Sequence, residues 1–421
     1  MIELRPSKYS GIINAPASKS YLQRALAIAA ISRGQSILYN ISWCDDSNVV
    51  LDIINQLDCK YNISNDAISL YPNYPQLKSN IIRVGESGLA TRLFSPILSL
   101  YSMEFHIIGR GSLLDRPHTL TIDALKQLGV KIENKNGYLP LTIFGPITNN
   151  YIEIQANLTS QHLSGLLIAL PLSKNDSIIK VNSLKSRPYV EMTLEIINKF
   201  GVEIENNDFK EFRIKGNQNY SGNEYNIEGD WSGAAFHLVA AAIAGEITVN
   251  NLNSNSLQGD RIIIEVLKNA GAIINIDKNS IKIKSNKLNA FQFDANNTPD
   301  LFPPLVALAA NCNGVSTIKG VNRLVHKESN RALILKEEFS KLGVHISLND
   351  DVMEITGKNR FPIKNDIIVD SHNDHRIAMA LAIASLSVNN IIKLENEEAV
   401  NKSYPSFFDD FINCKSNKRI I

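Results

Sequence analysis

The sequence predicts an α/β chain of two lobes, each built from three similar units. Three observations carry this reading. A segment made of an amphipathic helix, a turn and a β-rich strand returns at a period of about 70 residues. A second kind of helix, rich in Ala, Leu and Ile, opens each time on polar residues or Gly. Finally, 421 residues at 44% hydrophobic composition supply two sizeable cores more readily than one.

The first segment occurs at Leu51 to Ile63, Asp123 to Ile132, Glu195 to Ile204, Glu265 to Ile274 and Glu337 to Ile346, with a weaker copy at Phe407 to Cys414. Gly129, Gly201, Gly271 and Gly343 fall at equivalent places, where a left-handed residue ends a helix. The second kind of helix begins at Ser18, Glu86-Ser87-Gly88, Thr159-Ser160-Gln161, Asp230-Trp231-Ser232, Thr298-Pro299-Asp300 and Asn373-Asp374-His375. In the first of these, Leu22, Ala25, Leu26, Ala29 and Ala30 keep the i, i+3, i+4 spacing of a packed face. Small side chains imply close packing, so these helices are expected to be buried. Ile178 to Val181, Ile247 to Val249 and Val315 to Ile318 are expected as strands. Each unit is then strand, helix, strand, helix, strand, strand. Repeat counting puts the lobes at residues 1–14 plus 228–421 and at 15–227.

Composition narrows the function. Lys and Arg number 43 against 42 Asp and Glu, so a formal charge of +1 offers no field for nucleic acid or an anionic membrane. Cys44, Cys59, Cys312 and Cys414 are scattered without a Cys-x-x-Cys pair, which argues against a zinc site or a disulfide framework. The first residues hold no apolar leader and the apolar runs are too short to span a bilayer. The expectation is a cytoplasmic protein with free thiols, no metal and no cofactor.

Side chains suited to chemistry cluster where the units open. Lys19, Ser20 and Arg24 lie beside the unpaired N–H groups of a first helical turn, a combination that suits a phosphate or carboxylate; the alternative is a capped core helix with a solvated basic edge. Gly85 to Arg92 lets a ligand approach the backbone near Gly88. Arg116 is held in a loop by Pro117. Thr159, Ser160, Gln161, Ser186 and Tyr189 offer hydroxyls, an amide and a phenol, or ordinary caps. Asp300 reads either as a cap or as a desolvated carboxylate with a raised pKa. Lys327, Glu328 and Arg331 fit an exposed ion-pair face or one wall of a ligand site. Arg376 at a helix N-terminus opposes the dipole unless an anion is bound there, and Lys402 precedes Ser403-Tyr404-Pro405. No Gly-x-x-x-x-Gly-Lys-Ser/Thr loop and no Gly-x-Gly-x-x-Gly turn in a strand-to-helix setting is present. Positioning, electrostatics and proton transfer on small phosphorylated, carboxylated molecules remain.

The motifs S-K-S-Y-L-Q-R at Ser18, G-E-S-G-L-A-T-R at Gly85, D-R-P at Asp115, S-Q at Ser160, S-R-P-Y at Ser186, P-D at Pro299, K-E-S-N-R at Lys327, N-D-H-R at Asn373 and K-S-Y-P at Lys402 appear in this order. Together the chain resembles the enolpyruvyl transferases. The resemblance implies a two-lobed inside-out α/β barrel of βαβαββ repeats with the active site in the cleft between lobes, and a monomer. It further implies transfer of the enolpyruvyl group of phosphoenolpyruvate to the 5-hydroxyl of shikimate 3-phosphate. By position, Lys19, Ser20, Arg24, Thr159, Ser160, Gln161, Ser186, Tyr189, Asp300 and Lys327 would bind shikimate 3-phosphate. Lys19, Gly88, Arg116, Gln161, Arg331, Arg376 and Lys402 would bind phosphoenolpyruvate. Asp300 would be the base and Glu328 the proton donor, with Lys19 a competing donor.

Three positions depart from the commoner pattern: Glu86 for Asn, Leu89 for Thr and Asn330 for Asp. A carboxylate at Glu86 beside an anionic substrate calls for a partner, and Arg92 is a candidate. Of the rivals, the sister activity on UDP-N-acetylglucosamine usually shows Lys-Asn at the first motif and a Cys in a loop of the first half. This chain has Lys19-Ser20 and no Cys between Cys59 and Cys312. A non-catalytic phosphometabolite-binding protein should have lost Asp300 or Glu328, and both are kept.

Overall fold

The computed structural model describes residues 1–325, 327–358, 363 and 365–415. The chain divides into two compact units, Met1–Ser18 with Glu228–Ile421, and Lys19–Ile227. Residues 15–18, expected in the second lobe, stay with the first unit because they pair with its returning strand. Ser18 N–H donates to the Glu228 carbonyl at 2.7 Å, Asp230 N–H to that of Pro16 at 2.8 Å, and Ala17 bridges Gly229. Both chain crossings between the units therefore leave from one place.

One sheet pattern repeats through the chain. In the Lys19–Ile227 unit, Ser177–Asn182 runs parallel to Tyr151–Gln155 and antiparallel to Glu211–Ile214, which forms a hairpin with Ile204–Asn207. The sheets around Ser36–Tyr39 and Glu104–Gly109 have the same order. In the other unit it recurs around Gly245–Asn250 and Gly314–Lys319, while Ile392–Glu395 centres a three-stranded version with Ile367–Asp370 and Ile2–Leu4. A parallel pair needs a crossover, and the Ala- and Leu-rich helices supply it. Successive inward side chains such as Ile179 and Val181 alternate with solvated ones, as a sheet with one covered face requires.

The crossover helices are the core. Lys19–Ala30, Gly88–Leu98 and Gln161–Ala169 pack on one another in one unit. Trp231–Ala244, Phe302–Ala310 and His375–Ala384 do so in the other. Gly165 shows how tight this is, since a Cβ there would stand 2.1 Å from the Arg92 carbonyl oxygen. The solvent-side helices end as the sequence predicts, with Gly129, Gly201, Gly271 and Gly343 at φ of 80°, 83°, 107° and 81°. In the first copy Asp58 takes the left-handed position at φ 55°. The last copy keeps its helix, Phe407–Asn413. Among the described residues, no helix is long and apolar enough to cross a membrane.

Candidate active site

In the unit formed by Met1–Ser18 and Glu228–Ile421, two inner-helix openings and one surface helix bring charges together. Asp300 lies in the turn Pro299–Leu301 ahead of an apolar helix. Around its carboxylate, Lys327 Nζ lies at 3.3 Å, Arg331 Nη1 at 2.9 Å and Arg376 Nη2 at 3.2 Å. Burial alone would raise this carboxyl, but Arg376, Lys327 and Arg331 outweigh it and hold the group well below the usual carboxylate range. The raised value considered from sequence is thus corrected: desolvation is present, and three cations exceed it.

Arg331 is the hub, with 1% of its side chain exposed. It donates through Nε and Nη2 to both oxygens of Asp374, at 2.8 and 3.2 Å, and through Nη2 to Glu328 at 2.6 Å. Burial would lower its pKa, whereas Asp374, Glu328 and Asp300 drive it upward, so it is a permanent cation. Burial lowers that of Lys327, against the pull of Asp300. These residues form a partly buried wall rather than an exposed ion-pair face. Lys327 to Asn330 also lie outside the helix, which begins at Arg331. Asn330 caps it, accepting from Leu333 N–H at 3.5 Å, which is the task an Asp would do there. Lys402 ends the short helix Glu397–Lys402 and is buried at 8% exposure.

In the Lys19–Ile227 unit, Lys19 Nζ pairs with Asp46 Oδ2 at 2.8 Å. Arg24 is fully buried, donating through Nε to Thr193 at 2.8 Å and through Nη1 to the Ser20 carbonyl at 2.8 Å, with its guanidinium 6.0 Å from the centre of the Tyr189 ring. Burial lowers its pKa to about 10, so it remains charged at neutral pH. A solvated basic edge is therefore not what this helix carries. Neither Ser160 nor Ser186 caps its helix with its side chain. Ser160 donates to the Ser186 carbonyl at 3.3 Å, and Thr159 accepts from Gln161 N–H at 3.2 Å. Ser186 itself takes φ 59°, which sets the entry to Arg187–Lys199.

Gly88 opens its helix at a point where two guanidiniums converge. A Cβ there would lie 2.7 Å from Arg92 Nη1 and 2.9 Å from Arg116 Nη2. Arg92 donates to Gln161 Oε1 at 2.9 Å and to the carbonyls of Gly88 and Pro117, tying three motifs together. His118 and His162 stay neutral: burial, then Arg92 and Arg116, lower the former to about 2, and burial with Arg92 lowers the latter to about 4. Glu86 has a partner in Ser112, accepting from its N–H at 3.2 Å and its hydroxyl at 2.9 Å.

The sequence reading passes over Arg92, Asp46 and Asp374 as site residues. The signal was there for Arg92 and Asp374, which stand inside G-E-S-G-L-A-T-R and N-D-H-R. Asp46 has no such signal, because its pairing spans 27 residues. Among the described residues, Glu337, Glu338 and His372 have donor atoms close enough to share a metal ion, but Lys341 Nζ lies 2.8 Å from both Glu338 oxygens and already supplies the positive charge.

In one unit Lys and Arg surround an ionised carboxylate, and in the other helix openings present Lys, Arg and hydroxyls; each set suits anionic small molecules. The fold matches that of the solved EPSP synthase from Acinetobacter baumannii, with a TM-score of 0.82 at 23% identity over 98% of each chain. It also matches the enolpyruvyl transferase NikO from Streptomyces tendae, with a TM-score of 0.79 at 14% identity over 98% of this chain and 96% of that one. The fold is thus the inside-out α/β barrel of the enolpyruvyl transferase class. The family model for EPSP synthase (3-phosphoshikimate 1-carboxyvinyltransferase) matches residues 4–411. Relatives named 3-phosphoshikimate 1-carboxyvinyltransferase are 37% identical in Clostridium novyi and 36% in Clostridioides difficile, each over 97% of this chain and 96% of the relative. The chain belongs to the EPSP synthase family and is a transferase.

Proposed function

We infer that this enzyme transfers the carboxyvinyl group of phosphoenolpyruvate to the 5-hydroxyl of shikimate 3-phosphate and releases phosphate, in the route to aromatic amino acids. The observation that supports it best is Asp300, which keeps a fifth of its side chain accessible among Lys327, Arg331 and Arg376. A substrate hydroxyl can reach this carboxylate. Asp300 takes the hydroxyl proton as the oxygen attacks C2 of phosphoenolpyruvate, and Glu328 protonates C3, with Lys19 the alternative donor. The tetrahedral intermediate then loses a proton from C3 as the C2–O bond to phosphate breaks.

A carboxylate so strongly depressed is a weak base in the free enzyme. Binding of the phosphate and carboxylate of phosphoenolpyruvate to Arg331, Arg376 and Lys402, together with Arg116, Gly88, Gln161 and Lys19, offsets those cations and raises the proton affinity of Asp300. Ser20, Arg24, Thr159, Ser160, Gln161, Ser186, Tyr189 and Lys327 hold shikimate 3-phosphate. The enzyme works as a cytoplasmic monomer.

The test is phosphate release from phosphoenolpyruvate with shikimate 3-phosphate or UDP-N-acetylglucosamine as acceptor. Release only with the first is expected; release with the sugar nucleotide would move the substrate assignment, and silence with both would leave a binding protein.

A further inference from the structure

Asp260 is a second buried carboxylate of the same unit that no motif singles out. It sits in the short turn Gly259–Ile262 at 1% exposure. Gln258 locks that turn onto the opening of the helix Trp231–Ala244, accepting from Trp231 N–H at 3.2 Å and donating to the Gly229 carbonyl at 2.8 Å. Asp260 Oδ2 accepts from the Ser232 hydroxyl at 2.5 Å, while Oδ1 has no hydrogen-bond partner among the described residues. Such a group is costly to bury unless it acts on something.

The groups that act on it come from each neighbouring element: Ser232 and Asp230 at the opening of Trp231–Ala244, Asp300 in the turn Pro299–Leu301, and Arg376 at the opening of His375–Ala384. Both turns, Gly259–Ile262 and Pro299–Leu301, pack on the helix Trp231–Ala244. We propose that Asp260 is a positioning residue for the transfer, a second negative charge held on the same helix as the Asp300 turn that keeps this base reactive among three cations. The inference rests on the reading of Asp300 as the base. Like charges in a shared buried region raise each other's proton affinity, and the effect is reciprocal. When Asp300 takes the substrate proton, the repulsion it exerts on Asp260 is relieved, so an ionised Asp260 favours that transfer.

Burial, then Asp300, push the Asp260 carboxyl up to about 7, against Arg376 and Ser232. Its charge is therefore absent in mild acid and present in mild base. As pH rises through neutrality Asp260 ionises, Asp300 becomes the stronger base, and kcat should climb.

The experiment measures kcat against pH at saturating phosphoenolpyruvate and shikimate 3-phosphate for wild type, Asp260→Asn and Ser232→Ala. Wild type should show an inflection near neutrality. Asp260→Asn should lose that inflection and fall by roughly tenfold at pH 8, the effect of about one unit of proton affinity at Asp300. Ser232→Ala removes a bond to the ionised form, so it should move the inflection to higher pH. A fall in kcat with the inflection unmoved in Asp260→Asn would mean a structural role only and would overturn the proposal. If Asp260→Asn does not fold, Ser232→Ala decides, an unmoved inflection again overturning it. Wild type that fails to turn over with shikimate 3-phosphate would remove the transfer reading and this inference with it, whereas an unmoved inflection removes the inference alone.

Discussion

Asp300 meets Lys327, Arg331 and Arg376, while Gly88 meets Arg92 and Arg116, so the charges of both clusters are held by single residues whose replacement has a local reading. At Gly88 an added methyl would press on the far ends of two flexible guanidiniums rather than on backbone, so Gly88→Ala should fold normally. It should displace Arg116 and Arg92 and raise KM for phosphoenolpyruvate by roughly tenfold, equivalent to about 1.4 kcal/mol of lost binding, with KM for shikimate 3-phosphate little changed. Steady-state kinetics with each substrate varied in turn checks this, and an unchanged KM for phosphoenolpyruvate would refute it. The residue types that meet in these clusters were legible in the sequence. Their burial was not: Arg24 sits among Ala and Leu in the linear sequence, and two of the partners that make its buried guanidinium tolerable, Thr193 and Ser164, lie 169 and 140 residues away. Asp260 was invisible for the same reason, because its partners are supplied by other helices.

The inner helices share one device, a polar opening over an apolar body. Ser87, Asp230 and Asp374 each accept from a first-turn N–H, at 3.3, 2.9 and 3.0 Å. Asp374 has a second task, since its carboxylate also takes the two-pronged contact from Arg331. Removing one partner of a buried pair leaves the other charge stranded. Asp374→Ala should therefore lower stability by about 3–5 kcal/mol. Asp374→Asn, which keeps an oxygen for the cap, should cost less, by about 1–3 kcal/mol for the weaker bond to a charged group. Urea unfolding of the two variants would reveal the difference, and equal midpoints would contradict the double role. At this scale the sequence was most informative where local rules decide. Glycine at the ends of the solvent-side helices specified left-handed backbone, and alternating Ile and Val specified strands. It was least informative at Lys327 to Asn330, where helical spacing suggested a turn of helix that the Asn330 cap instead delays to Arg331.

Across the whole molecule, repetition made the fold legible: six copies of one pattern constrain each other, so a doubtful strand in one is fixed by its equivalents. The unit boundary was less legible than the repeats, because Ala17 and Ser18 carry no composition signal and belong where they do through pairing with Glu228 and Gly229. A net charge near zero gives no sign of these clusters, in one of which Lys327, Arg331 and Arg376 stand against Asp300, Glu328 and Asp374, while in the other Arg92 and Arg116 converge on Gly88. Family membership, spanning nearly the whole chain, assigns the chemistry class. The most direct measurement is kcat for phosphate release with shikimate 3-phosphate in wild type and Asp300→Ala, with folding checked by thermal unfolding. Loss of proton transfer to Asp300 predicts a fall of about 10²–10⁴-fold in a folded variant. A folded Asp300→Ala that stays within about threefold of wild type would contradict the assignment of Asp300 as the base.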